Sequence, residues 1–394
     1  MKVLNADVLQ GFVGSVLAKR FDGTVPTPPC HKEWWDLCTG PNKFVAISAP
    51  RGHAKSTAIT FAFTLAAVLF RERSFVLLVS DTEAQAAGFL GLIKQELSEN
   101  QDIRRLFKLR LDDRGEPMFI KDSETELIAI FEDGQKFRII AKGSEQKLRG
   151  LLWNGRRPDL IVCDDLENDE LVDTPIQRVK LSTWWDSAVE PMIEPPPVGQ
   201  IILVGTILHY GSLLNQMLQR TDLYVTRRFQ AITTKDHPDG TKTQEPLWPE
   251  RFTMERLIDL KKKNGLAFQK EYMNDPRDDV SRTFRSSWVQ WYDANDLSYK
   301  PVTKRWFFRG KPLSFYTGVD WSVGKDDASD YFAMVMIGKT SDNEIVIFDI
   351  ANEKTDVANQ VNRVVLQNQS YKIEMNGLEG NGFQHVLIQQ VFRK

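Results

Sequence analysis

Four short apolar runs constrain this chain most: Phe44 to Ser48, Phe75 to Ser80, Leu160 to Cys163 and Ile201 to Val204. Strands covered on one face alternate apolar and polar residues. Runs that are apolar throughout belong to strands buried on both faces, as in parallel sheets. Helical patterns lie between them, from Ser56 to Phe70 and from Glu83 to about Leu97. Such alternation implies right-handed crossovers and an α/β fold with helices on both sides of the sheet. Leu127 to Phe131 and Lys136 to Ile140 flank Asp133-Gly134, a pair that predicts a hairpin turn.

The pattern changes after about residue 234. From Lys235 to about Gly310 the chain is rich in Pro, Asp, Lys and Trp, with one clear helical stretch, Met254 to Lys263. This reads as a linker with some structure of its own. A second α/β pattern follows, with strands over Phe315 to Asp320, Tyr331 to Ile337 and Glu344 to Asp349. A helix over Thr355 to Gln367 then leads to a strand over Lys372 to Glu379. The expected division is therefore 1–234, 235–310 and 311–394, a length of 394 residues being ample for more than one core. The last segment is short for a complete domain of its kind.

The formal net charge is −2, so no global basic field announces a nucleic-acid partner and any such contact must be local. Cys30, Cys38 and Cys163 are unclustered, which argues against a disulfide framework or zinc site and for a reducing setting. No signal peptide and no apolar run of membrane-spanning length is apparent.

Between the first strand and its helix lies Ala49-Pro50-Arg51-Gly52-His53-Ala54-Lys55-Ser56, followed by Thr57. Compared with the phosphate loop G-x-x-x-x-G-K-[ST], both glycine positions, Ala49 and Ala54, hold alanine. Alanine is the smallest residue with a Cβ, so close backbone approach to phosphate stays feasible. Lys55 would meet the β- and γ-phosphates of ATP and the Ser56 hydroxyl its Mg2+, with helix N-terminal amides as further donors. Arg51 is a candidate for stabilising charge during hydrolysis and Arg149 an alternative, while His53 reads as a solvent-exposed loop residue, with a place near phosphate as the other reading.

About a hundred residues on, Leu160-Ile161-Val162-Cys163 runs into Asp164-Asp165-Leu166-Glu167. Carboxylates at the C-terminal edge of a buried strand sit where open α/β sheets bind ligands. Asp164 is placed to hold Mg2+. A second carboxylate must orient or deprotonate water, and Asp165 and Glu167 both qualify. Thr206, ending the run Ile201 to Val204, is placed to sense the γ-phosphate.

With these residues assembled, the chain resembles the large terminase subunits of tailed phages. The similarity extends to Pro28-Pro29-Cys30-His31-Lys32-Glu33-Trp34-Trp35, to Leu148-Arg149-Gly150 and to Val204-Gly205-Thr206. It includes Leu247-Trp248-Pro249-Glu250-Arg251-Phe252 and Phe268-Gln269-Lys270-Glu271-Tyr272-Met273-Asn274-Asp275-Pro276. The resemblance implies an additional-strand (ASCE-type) P-loop ATPase over 1–234 that drives double-stranded DNA into a capsid. It also implies an RNase H-like nuclease over 311–394 that cuts concatemers. Asp320 and Glu379 match two of that nuclease's three carboxylates, which bind Mg2+ or Mn2+; the third has no counterpart, and Asp326, Asp327 and Asp330 are the nearby stand-ins. Implied partners are the portal protein, the small terminase subunit and other copies in a ring, with no membrane. The implied setting is the host cytoplasm, with transient binding to the procapsid and no place in the virion.

Two other readings fit the same residues. One is a P-loop helicase or translocase with an unrelated C-terminal domain; the other is a non-catalytic fragment that binds DNA or the portal. Lys300 to Lys311 interleaves Lys304, Arg305, Arg309 and Lys311 with Trp306, Phe307 and Phe308, fit either for a phosphate backbone or for joining domains. The run Lys261 to Lys263 reads as a solvated helix end.

Overall fold

The computed structural model describes residues 3–21, 26–236, 241–276, 289–322 and 331–378. Two compact units make up the chain, Met1–Thr283 and Phe284–Lys394. Residues of the 235–310 segment are thus shared between them.

The first unit is built on an eight-stranded sheet. Its strands are β1 (Phe44–Ser48), β2 (Phe75–Ser80), β3 (Phe119–Ser123), β4 (Glu126–Ile130), β5 (Lys136–Gly143), β6 (Leu160–Asp164), β7 (Gln200–Gly205) and β8 (Val225–Arg228). Their order is β3-β4-β5-β2-β6-β7-β1-β8. From β5 to β8 every pairing is parallel, while β3 and β4 form an antiparallel margin closed by the expected hairpin at Gly134. Strand β7 therefore lies between β1, which leads into the phosphate-type loop, and β6, which ends in Asp164.

Strand residues alternate between two cores, as the two-residue period requires. Val76, Leu78, Val162 and Val204 face a core with Trp34, Ile59 and Leu90, and Leu77, Val79, Ile161 and Leu203 face one with Trp185 and Leu213. Each fully buried aliphatic side chain contributes roughly 1.5–3 kcal/mol, which explains why the apolar runs announce the sheet.

One local expectation is corrected. The helix after the loop is not uniformly α-helical: Thr57–Phe63 is wound as a π-helix and Thr64–Leu69 continues as α. Such winding is rare and clusters at functional sites. Here it accompanies a buried bond from the Thr60 hydroxyl to the Asp164 carboxylate (2.7 Å).

After the sheet, β9 (Ile232–Asp236) and β10 (Lys242–Pro246) pair antiparallel, and helices Met254–Lys263 and Gly265–Glu271 follow. They enclose a small core of Ala231, Phe252, Leu257 and Phe268. Lys261, Lys262 and Lys263 are exposed at a helix C-terminus, where the dipole favours cations.

In the second unit, β11 (Leu297–Lys300), β12 (Arg305–Phe308) and β13 (Lys311–Pro312) form a small antiparallel sheet. Three of its basic residues find local partners: Lys300 lies 4.3 Å over Phe307, Arg309 bonds Asp296 at 2.9 Å, and Lys311 bonds Glu344 at 2.8 Å. The main sheet has β14 (Ser314–Asp320), β15 (Phe332–Lys339), β16 (Ile345–Glu353) and β17 (Ile373–Leu378), in the order β16-β15-β14-β17. Strands β14 to β16 are antiparallel, whereas β17 returns parallel to β14 after helix Val357–Ser370. Val361 and Val364 of that helix pack on Val319, Phe332 and Met334.

Candidate nucleotide site

The loop springs from the end of β1, and the Ala49 N–H donates to the Gly205 carbonyl at the end of β7 (2.9 Å). Gly52 (φ 76°) and Ala54 (φ 60°) are left-handed. Alanine at position 54 bears a strain of about 1–2 kcal/mol that glycine would not. Gly52 has no such substitute, since a Cβ there would lie 2.9 Å from the Phe252 ring. The Ala58 N–H to Ala54 carbonyl bond (2.9 Å) opens the helix, so the amides of Lys55, Ser56 and Thr57 precede the first turn.

His53 is buried, contrary to the expectation of an exposed loop histidine. Its ring stacks on Phe252 (centroids 4.6 Å, planes 9° apart), and His31 Nε2 donates to its carbonyl at 2.8 Å. Phe252 lies two hundred residues further on, so local pattern held no sign of this cover. Burial holds both imidazoles far below the ordinary histidine range, at about 4. A lowered histidine pKa contributes stability that is whole above the unfolded value, near 6.5, and is lost as pH falls towards 4. Thermal unfolding followed by tryptophan fluorescence is therefore expected to weaken through that window, and less steeply in His31→Asn. Parallel pH profiles would contradict the buried neutral pair.

Three strand ends converge beside the loop. Lys55 Nζ, nearly buried, lies 3.0 Å from Asp165 Oδ2 and 3.2 Å from the Thr206 hydroxyl. The other Asp165 oxygen accepts the Thr206 N–H at 3.2 Å. Asp165 is itself left-handed (φ 45°), which turns its side chain across to β7. Asp164 is fully buried; Oδ2 accepts from the Thr60 hydroxyl and Oδ1 has no partner. Burial, then the neighbouring Asp165 charge, push its pKa up to about 6 against Lys55, Ser56 and Thr60.

Glu167 is placed differently. Its two oxygens accept the Leu213 (2.7 Å) and Leu214 (3.2 Å) amides at the start of helix Leu213–Gln219. Burial outweighs those bonds and raises it to about 7. Arg51 reaches outward, bonding Glu271 at 3.1 Å with its side chain mostly exposed. Arg149 grips the Ser187 carbonyl at 3.0 Å.

A cavity of about 570 Å³ adjoins the loop, lined by His31, Trp35, Lys55, Ser56, Trp248 and Arg251 among others. The sequence pattern did not single out Thr60 or the inward role of Trp248 and Phe252. For Thr60 the only sign is its spacing of four from Ser56, one helical turn on.

In the second unit Asp320 ends β14, exposed and opposite Ala333, while its neighbour Val319 pairs with Leu378. Glu379, Asp326, Asp327 and Asp330 lie outside the described residues. Among the described residues no group of three or more His, Cys, Asp or Glu is arranged to hold a metal. Cys30, Cys38 and Cys163 are free and buried, and no described helix is long and apolar enough to cross a membrane.

No family model and no curated protein matches the chain. Solved structures do. The large terminase ATPase domain of Thermus phage P74-26 is 14% identical, with TM-score 0.40, covering 61% of this chain and 91% of that one. The large terminase of a second thermophilic bacteriophage, in complex with ATP-gamma-S, is 10% identical, with TM-score 0.36, over 93% and 85%. The Phi-28 gp11 DNA packaging motor is 10% identical, with TM-score 0.31, over 90% and 95%. These three structures are phage large terminases and a DNA packaging motor, at identities and scores that leave the function of this chain to be argued from its site.

Proposed function

We propose that the chain is an ATP-hydrolysing DNA-packaging protein of the large-terminase kind. One observation carries this: Lys55, Ser56, Asp164, Asp165 and Thr206 meet at the C-terminal ends of β1, β6 and β7. Strand β7 between the loop strand and the acidic strand supports the additional-strand class of P-loop ATPases. The unpartnered Asp164 Oδ1 and the Ser56 hydroxyl are hard oxygen donors that fit Mg2+, which would neutralise phosphate charge. Lys55, now paired with Asp165, would exchange that carboxylate for the phosphates. Asp165 is then left beside Thr206 to orient water. Glu167, with both oxygens on a helix N-terminus, is the weaker candidate for that task. The Trp35, His31 and Trp248 wall suits a nucleotide base. The proposed partners are double-stranded DNA, the portal, the small subunit and further copies in a ring.

For the second unit the proposal is an RNase H-like nuclease centred on Asp320, with Glu379 as its companion. Support comes from the order β16-β15-β14-β17, with three antiparallel strands and a fourth returning parallel to the first. The test is incubation of supercoiled plasmid with the chain and Mn2+, beside Asp320→Ala. Nicking that disappears in the variant is expected; nicking that survives it sinks the nuclease assignment. Strand unwinding without Asp320-dependent cutting would favour the helicase alternative.

A further inference from the structure

One short stretch, Glu271 to Asn274, touches three strand ends at once. The Glu271 carbonyl accepts the Arg51 N–H of the loop after β1 (2.8 Å), and its carboxylate pairs with the Arg51 guanidinium. The Tyr272 carbonyl accepts the Ala231 N–H, beyond β8 (2.8 Å). Asn274 Oδ1 accepts the Ile207 N–H, beyond β7 (2.9 Å), and its Nδ2 donates to the Phe229 carbonyl (2.7 Å). Phe229 in turn donates its N–H to Ser48, the last residue of β1 (2.9 Å).

Asn274 is fully buried and left-handed (φ 49°). Asparagine is among the few non-glycine residues that adopt this backbone readily. Its two partners also fix the amide: one demands an acceptor, the other a donor, and a carboxamide offers both. Aspartate lacks the donor and leucine lacks both. No other described contact holds the peptide immediately after Thr206 by a side chain of this segment.

We infer that Asn274 is a positioning residue for nucleotide hydrolysis, holding Thr206 against Lys55 and Asp165 from outside the phosphate loop. This rests on the ATPase proposal above. The Ile207 peptide follows Thr206 directly, and the Thr206 hydroxyl and amide are the groups that meet Lys55 and Asp165. Glu271 fixes the loop from the same stretch. The segment Glu271 to Asn274 thus ties the loop after β1 to the end of β7, where Thr206 meets Lys55 and Asp165.

The experiment is steady-state Mg2+-dependent ATP hydrolysis by the full chain and by Asn274→Gly, with the affinity for a fluorescent ATP analogue measured in parallel. Glycine accepts the left-handed backbone, so this variant removes the carboxamide without adding strain. A small displacement of reacting groups lowers the chemical step, so kcat is expected to fall about ten- to a hundredfold with KM and analogue affinity within about threefold. A kcat equal to the parent's overturns the inference. So does a joint loss of kcat, affinity and thermal midpoint, which would reduce Asn274 to support of the fold. A parent chain that binds and hydrolyses no ATP overturns the ATPase proposal itself, a result seen before any substitution is made.

Discussion

Lys55→Ala is expected to abolish measurable ATP hydrolysis while leaving the fold standing. Lys55 projects from the first helical turn into the space shared by Asp165 and Thr206. In a water-poor site, a preorganised cation opposite developing phosphate charge is worth far more than on a surface. Removing one such group costs on the order of 10² to 10³ in rate. The loss of packing is small, because only the ammonium end makes the polar contacts and Asp165 remains partly open to solvent. A colorimetric phosphate-release assay beside a thermal melt separates the two effects. A rate within a few-fold of the parent's would remove the loop from the chemistry and with it the packaging proposal.

Asp164→Asn should lose hydrolysis to a similar extent and yet gain stability. The carboxylate is buried, its Oδ1 has no partner, and its pKa has risen to about 6. For an acid raised in the folded state, the stability it contributes is present below its unfolded pKa, near 3.8, and is lost as pH rises through 6. At a pH of about 7.5 the parent therefore holds an ionised group that folding disfavours, at a cost of about 1–3 kcal/mol. Asparagine removes the charge and can still accept the Thr60 hydroxyl. The expected result is a higher thermal midpoint together with lost Mg2+-dependent turnover. A lower midpoint would show that Lys55 and Ser56 more than compensate the buried charge.

The two variants share a lesson about stability at a reactive centre. On the proposed function, Lys55 paired with Asp165 and the unmet oxygen of Asp164 lie where a ligand's charges would enter.

Much of this was already written along the chain. Phe75 to Ser80 and Leu160 to Cys163 announced themselves as buried strands because apolar continuity is a local property that each residue carries alone. Lys55-Ser56 after a strand, and Asp164 at the end of another, were visible for the same reason: their chemistry depends on residue type and position within one element. Three matters were decided only by tertiary structure. His53 is buried because Phe252 stacks on it from two hundred residues away. Asp165 and Glu167, alike as acids two residues apart, part company because one meets Lys55 and the other a helix start more than forty residues downstream. Asn274 reaches Ile207 and Phe229 through a backbone turn that no propensity reveals. Local sequence determines which elements form and which groups they carry. The partners that set a group's burial, charge and orientation are long-range, and only the packed chain chooses among them.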